Sequence, residues 1–143
     1  MQVSYSMIDR PRAVLPDFLN GVEVTHDHLL AERVTVTQPR TGYRVGSDAV
    51  LVAASLTARR GRVLDLGAGV GGISLCIAKR LSGLQITAVE IDPVTAALAR
   101  HNVNVNSMDQ QVRVINADIT ALPAVMANRF DHVISNPPYH HIA

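Results

Sequence analysis

Two groups of residues in this sequence carry chemistry. The first is Asn136-Pro137-Pro138-Tyr139, which stands almost at its end. The side-chain oxygen of Asn136 and the backbone carbonyl of Pro137 are two acceptors on adjacent residues. The prolines restrict the backbone, so both acceptors are held in place in advance. Tyr139 adds an aromatic face on which a planar group can stack, a contact worth roughly 1–3 kcal/mol per base. Such a set suits a planar amine or amide nitrogen. Its lone pair is delocalised, so it attacks an electrophile only when placed in line with its N–H groups directed to acceptors. The other reading, a Pro-Pro turn closing a strand with Tyr139 as packing, would suffice for the tetrapeptide in isolation.

The second group is a glycine loop with acids around it. Gly67, Gly69 and Gly72 follow "RVLDL" and precede an apolar helical stretch. Glycines there let a ligand approach the backbone with no Cβ in the way. Nicotinamide, flavin and S-adenosylmethionine (SAM) folds all use such a turn. Asp65, two residues ahead of Gly67, is placed to orient the loop or to meet an amino group through water; its plainer role is to cap the loop. Glu90 ends the next strand, where a carboxylate accepts from two ribose hydroxyls. Asp118 follows the third strand, where an adenine amino group would lie. Both also admit a plain strand-end role.

The elements that must position these groups are legible as an alternation. "RVLDL", "QITAVE", "VRVINAD" and "FDHVIS" read as strands. Helices are expected from Ile73 to Leu81, with Lys79 and Arg80 in the last turn, and over "IDPVTAALARHNVN", with Asp92 as N-cap and Pro93 at the first helical position. A short apolar helix is expected around Leu122 to Met126. Strand–helix alternation implies a parallel sheet flanked by helices, with ligands outside the carboxyl ends of its strands. Upstream, Val34 and Val36 alternate with Thr35 and Thr37 as a strand, "QPRTG" reads as a turn, and "YRV" as the returning strand. Asp48 is expected to cap a helix over Ala49 to Thr57. Residues 1–20 read as an arm or loop; the division expected is an arm over 1–30 and one α/β domain over 31–143.

"VLDLGAGVGG", "AVEID" and "NAD" resemble the successive SAM-binding motifs of the class I methyltransferases. The resemblance implies a Rossmann-like, mostly parallel sheet with helices on both faces and SAM as cofactor. It implies cofactor contacts at Asp65, Gly67, Ala68, Gly69, Glu90, Ile91, Asp118 and Asn136, Glu90 matching the acid that holds the ribose. Asn136, Pro137, Pro138 and Tyr139 resemble the catalytic motif of amino methyltransferases acting on adenine, guanine or protein glutamine. "QPRTGYRVGSDAVLVAAS" is similar to the region ahead of the glycine loop in bacterial enzymes that methylate N6 of adenine in the anticodon region of a valine tRNA. By that resemblance Tyr43, Arg44, Ser47 and Asp48 close the pocket over the methionine end, and tRNA is the substrate. A release-factor glutamine methyltransferase and a non-catalytic SAM-binding module are the alternatives.

Composition sets bounds on these readings. At 143 residues and 48% apolar, the sequence is the size of one globular domain. A net charge of +1 argues against a basic nucleic-acid coat, yet Lys79 is the only lysine, so nearly every cation is an arginine suited to local phosphate contacts. One cysteine, Cys76, forms no internal disulfide, which fits a reducing cytoplasm; it falls among Ile73, Ile77 and Leu81 as core. No run has signal-peptide or membrane-spanning character. His140 and His141 lack further ligands nearby, so metal is not expected, and Arg59, Arg60 and Arg62 read as a solvated cluster. The resemblance also implies further strands after Asn-Pro-Pro-Tyr. Their lack leads us to expect a piece of a longer enzyme, with an open edge at "FDHVIS" that another chain could cover.

Overall fold

The computed structural model describes residues 17–137. In chain order these form β1 (Val24–Leu29), β2 (Val34–Pro39), α1 (Ser47–Ser55), β3 (Gly61–Leu66), α2 (Gly72–Arg80), β4 (Leu84–Glu90), α3 (Pro93–Val105), β5 (Val112–Asn116) and β6 (His132–Ser135). The last four strands make one parallel sheet in the order β5-β4-β3-β6, and β1 and β2 make a separate antiparallel hairpin.

That strand order fixes where a ligand goes. From β3 the chain steps to β4 and then β5 on one side, and returns to lay β6 on the other side of β3. With right-handed crossovers, α2 and α3 cover one face and the β5–β6 connection crosses the other. Consistent with this, α2 and α3 both contact β4 and β5. The β5–β6 connection carries only two 3-10 turns, Ile119–Ala121 and Ala124–Met126, where one helix was expected. The topological switch point lies between β3 and β6, and a crevice opens outside their carboxyl ends.

The core is the apolar face of the sheet against the helices. Val63, Leu75, Ile77, Leu84, Ile86 and Leu98 are all but fully buried, each burial contributing roughly 1.5–3 kcal/mol. Cys76 is also buried, as expected, and burial pushes its thiol up to about 11. α3 begins as the sequence predicts, with the Asp92 carboxylate accepting from Thr95 N at 2.7 Å and Pro93 in the first turn.

The upstream region departs from the sequence reading. Its hairpin exists, but Val34–Pro39 is the second strand and Val24–Leu29 the first; "YRV" is irregular chain. The turn between the strands was missed because Leu30, Ala31 and Glu32 make it, at φ of 53°, 51° and 65°. None is Gly, Asn or Pro, and each sits in a region that costs an ordinary residue roughly 1–2 kcal/mol. Within the expected arm, Leu19 is core, 1% exposed. α1 starts at Ser47 with Gly46 as N-cap, so Asp48 lies in the first turn and is not the cap; the helix ends at Ser55.

Besides the burial of Val34 and Val36 in the core, the hairpin is held to the domain by two asparagines, Asn102 on α3 and Asn106 at its C-cap. Asn102 Oδ1 accepts from Thr37 N at 2.7 Å, and its Nδ2 donates to Thr37 O at 2.8 Å. Asn106 repeats this with Thr35, at 2.9 and 2.7 Å. Four residues of helix rise about 6 Å and two residues of strand about 6.6 Å. Asparagines at i and i+4 therefore meet peptide groups at i and i+2, and α3 serves the open edge of β2 as a further strand would. No helix among the described residues is long and apolar enough to cross a membrane.

Candidate functional site

A cavity of about 450 Å³ opens at the carboxyl ends of β3, β4 and β6, beside the switch point. Its wall includes Gly67, Gly69, Glu90, Ile91, Tyr43 and Asn136. Gly67 and Gly69 have φ of 69° and 57°, and a Cβ at either would point into open space. Backbone conformation, not crowding, demands glycine at both. Gly72 does a different job: a Cβ there would fall 2.6 Å from Val45 Cγ1, so its bareness lets the segment ahead of α1 press on the start of α2. Gly71, which the spacing argument passed over, is the residue that turns the chain into α2, at φ 90°.

Glu90 joins two turns. Its Oε2 accepts from Gly69 N at 2.8 Å and its Oε1 from Asp92 N at 2.9 Å, so one carboxylate ties the glycine loop to the start of α3. Each oxygen keeps lone pairs for a further donor in the cavity. Ala68 lies between the loop glycines, buried, its N–H donating to Val89 O at 2.9 Å.

Asp65 is fully buried beneath the loop. Ser74 Oγ donates to Oδ2 at 2.6 Å, and Oδ1 has no partner among the described residues. Burial pushes its carboxyl up to about 6, the Ser74 bond pulling down and the Glu90 charge adding to the rise. A buried acceptor left without a donor is unusual enough to point to a missing partner.

At the end of β6 the structure brings together residues from distant parts of the sequence. Asn136 Nδ2 donates to Asp48 Oδ2 at 2.7 Å and to Tyr43 Oη at 3.1 Å, and Tyr43 Oη donates to the same Asp48 oxygen at 2.8 Å. These bonds hold the Asp48 carboxyl below the usual range, the Tyr43 bond contributing most. Nothing among the described residues donates to Asn136 Oδ1. The two other upstream candidates lie elsewhere. Arg44 turns to the hairpin, bonding Pro39 O and Asp27 Oδ2 at 2.8 Å each, and Ser47 is exposed and off the cavity wall.

Asp118 is exposed and off the cavity wall as well. Its Oδ1 takes Thr120 N at 2.8 Å and the Thr120 hydroxyl at 2.7 Å, and these bonds hold its carboxyl low. Pro137 follows Asn136 on the exposed surface; Pro138, Tyr139, His140 and His141 lie outside the described residues. Val70 and Thr95 line the cavity and were not singled out in the sequence. Thr95 lies in the first turn of α3, where its backbone N–H meets the Asp92 cap.

A glycine loop on β3, an acid on β4 and an Asn-Pro pair on β6, around a crevice at the switch point, define a Rossmann-like methyltransferase fold. TYW2 of P. horikoshii, solved in complex with MeSAdo, superposes with a TM-score of 0.65 at 22% identity, over 77% of this chain and 41% of that one. A predicted O-methyltransferase of Agrobacterium tumefaciens superposes at 0.56 with 31% identity, over 64% of this chain and 49% of that one. Residues 42–143 match the methyltransferase small domain, and the chain belongs to that family. Among curated relatives, the tRNA1(Val) (adenine(37)-N6)-methyltransferase of Shewanella amazonensis is 40% identical over 99 residues, and that of Cronobacter sakazakii 35% over 107. The alignments take in 68% and 73% of this chain but 42% and 44% of those proteins, so the chain spans less than half the length of these relatives.

Proposed function

We propose that this chain carries the cofactor site and the amine-holding loop of a SAM-dependent methyltransferase acting on N6 of adenine in tRNA, with the adenine at position 37 of a valine tRNA as the target. The observation that carries the reading is that Glu90 and Asn136 face one cavity. A carboxylate suited to ribose and an amide suited to an amine then lie at two sides of the same space.

The residues fit the cofactor. Open space above Gly67 and Gly69 admits a ligand against the backbone. The free lone pairs of Glu90 accept from ribose hydroxyls, and Asp65 Oδ1, buried behind the cavity wall, is an acceptor that an ammonium would reach through water. Ile91, 62% exposed on the rim, offers an apolar surface to the adenine of the cofactor. Asp118 would take the amino group of that adenine through the oxygen that Thr120 leaves open. When bound, SAM supplies a methyl group made electrophilic by its sulfonium. The protein's own task is then geometric: Asn136 Oδ1 and Pro137 O accept from the two N–H bonds of the target amine, directing its lone pair into the cavity. Pro138 and Tyr139 come next in the sequence, and by the resemblance of the motif the tyrosine would give the base a stacking face. The activity for which the relatives are named supports adenine in tRNA over protein glutamine. A cytoplasmic enzyme with an RNA partner follows, and the outer edge of β6, which pairs with no strand among the described residues, is where another chain or segment would add.

The test is transfer of labelled methyl from SAM to tRNA by the full chain, read by position, beside calorimetric SAM binding. Binding together with N6-methyladenine in tRNA is the expected result. Methylation of a release factor but not of tRNA would select the glutamine reading, and a folded chain with no affinity for SAM would overturn the proposal.

A further inference from the structure

We propose that Asp48 is a positioning residue: it sets which end of the Asn136 amide faces the target amine. The inference rests on the reading of Asn136 as the amine acceptor and deepens it.

An asparagine amide has two nearly isosteric ends, and rotating it by a half turn exchanges acceptor for donor. With the oxygen toward the target, Asn136 holds the amine. With the nitrogen toward it, two N–H groups meet and the amine is repelled. The choice must come from the surroundings, and here Asp48 makes it. An ionised carboxylate only accepts, so the atom of Asn136 lying 2.7 Å from Asp48 Oδ2 is the nitrogen. Tyr43 Oη donates to Asp48, so its lone pairs are what it turns to Asn136, and the 3.1 Å contact selects the same end. The amide oxygen is thereby left for the target.

The carboxylate is itself fixed. Gly46 N donates to its other oxygen, Oδ1, at 3.2 Å, and Asp48 lies in the first turn of α1, where negative charge is favoured. Both oxygens are engaged, so the carboxylate does not swing to follow the amide. The segment ahead of the glycine loop thus acts on the reacting end of the site through a contact spanning 88 residues of sequence. That is a different role from closing over the methionine end, the part the resemblance assigned to Asp48.

The experiment pairs nuclear magnetic resonance with a double-mutant cycle on the full chain. The Asn136 side-chain amide signals, assigned by their loss in Asn136→Ala, are expected to move in acid as Asp48 protonates. In Asp48→Ala they should shift to the position of a solvated amide and cease to titrate. In turnover, Asp48→Ala should lower kcat by roughly tenfold to 100-fold, the scale of a misoriented group, with KM for SAM almost unchanged. Asp48→Asn retains an acceptor and should recover part of the loss. In an Asn136→Ala background, Asp48→Ala should have no further effect, since its action runs through that amide. Unmoved Asn136 signals in Asp48→Ala, or an equal loss of kcat in both backgrounds, would overturn the inference. If the wild-type chain methylates no amine at all, the proposed function falls, and the resonance experiment alone decides whether Asp48 orients the amide.

Discussion

Asn102 and Asn136 are the same side chain in opposite circumstances. Asn102 is fully buried on α3, and all of its polar atoms are engaged with backbone: Thr37 N and O, and Val70 O at 2.9 Å. Asn136, at the cavity, has its nitrogen engaged by Asp48 and Tyr43, while its oxygen meets no donor among the described residues. A saturated amide holds structure together, because removing it strands every partner. A half-engaged amide is prepared for something that is not yet there. Asn102 also links the two regions, since Val70, whose carbonyl it bonds, lies within the glycine loop.

The largest expected effect breaks the comparison at its structural end. Asn102→Ala leaves three buried backbone groups without partners, at about 1–3 kcal/mol each before relaxation. We expect a loss of about 3–5 kcal/mol, a large part of a marginal total stability, measured as the shift in urea midpoint. Asn102→Asp should do no better, since it replaces the two buried donors with charge. A loss below 1 kcal/mol would mean that the hairpin is not held by this residue.

The next effect lies at the other end. Asn136→Ala should lower turnover on the order of 10²–10³-fold, the range for one preorganised hydrogen bond at a reacting group. Its stability should change by no more than about 0.5 kcal/mol, as for a surface substitution, and SAM affinity should stay within about threefold on the same argument. A collapse of stability here, with turnover per folded molecule intact, would reverse the assignments of the two asparagines.

Asp65 lies between the two, buried like Asn102 but half-engaged like Asn136. Its carboxyl titrates at about 6 in the folded chain against an ordinary value of 3.8, so the folded state holds a proton that the unfolded state has released. Stability from this group is therefore present below about pH 4 and falls as pH rises through 6, by roughly 3 kcal/mol in all. Asp27, Asp48, Asp92 and Asp118 are shifted the other way, and their contributions are lost only as pH drops below the ordinary carboxylate range. Unfolding of the ligand-free chain between pH 4.5 and 7.5, compared with Asp65→Asn, isolates the effect. A difference between the two proteins that does not change with pH would show the carboxyl to be ionised throughout.

How much of this was legible follows the type of interaction. The β3-to-α3 run, its Asp92-Pro93 cap and the place of Gly67, Gly69 and Glu90 were readable because periodicity, caps and loop spacing are local signals. The Asn136–Asp48 contact was not, since nothing local tells which of several upstream polar residues a loop 88 positions later will meet. Arg44 illustrates the converse: its neighbours in sequence suggested the pocket, and Asp27 drew it to the hairpin. The Asn102–Asn106 pair was hidden because polar residues in a helix read as solvent-facing. Its one signal was the i, i+4 spacing of asparagines beside the apolar Leu98 and Val103.

That spacing supplies the smallest and sharpest test. Asn106 makes the same pair of bonds to Thr35 that Asn102 makes to Thr37, but it is half-buried at the end of α3, and its third bond returns to Asn102 O at 2.7 Å. Water can reach the groups it would leave behind, so Asn106→Ala should cost only about 1–2 kcal/mol, toward the net worth of ordinary hydrogen bonds. The two losses should not add. Once Asn102 is gone the edge of β2 is already loosened, and Asn106→Ala in that background should cost less than it does alone. Native-state hydrogen exchange at Thr35 and Thr37 reads this directly: Asn106→Ala should release Thr35 first, and Asn102→Ala both amides. Independent release of the two would mean that α3 bonds two separate peptides and does not act as the neighbouring strand of β2.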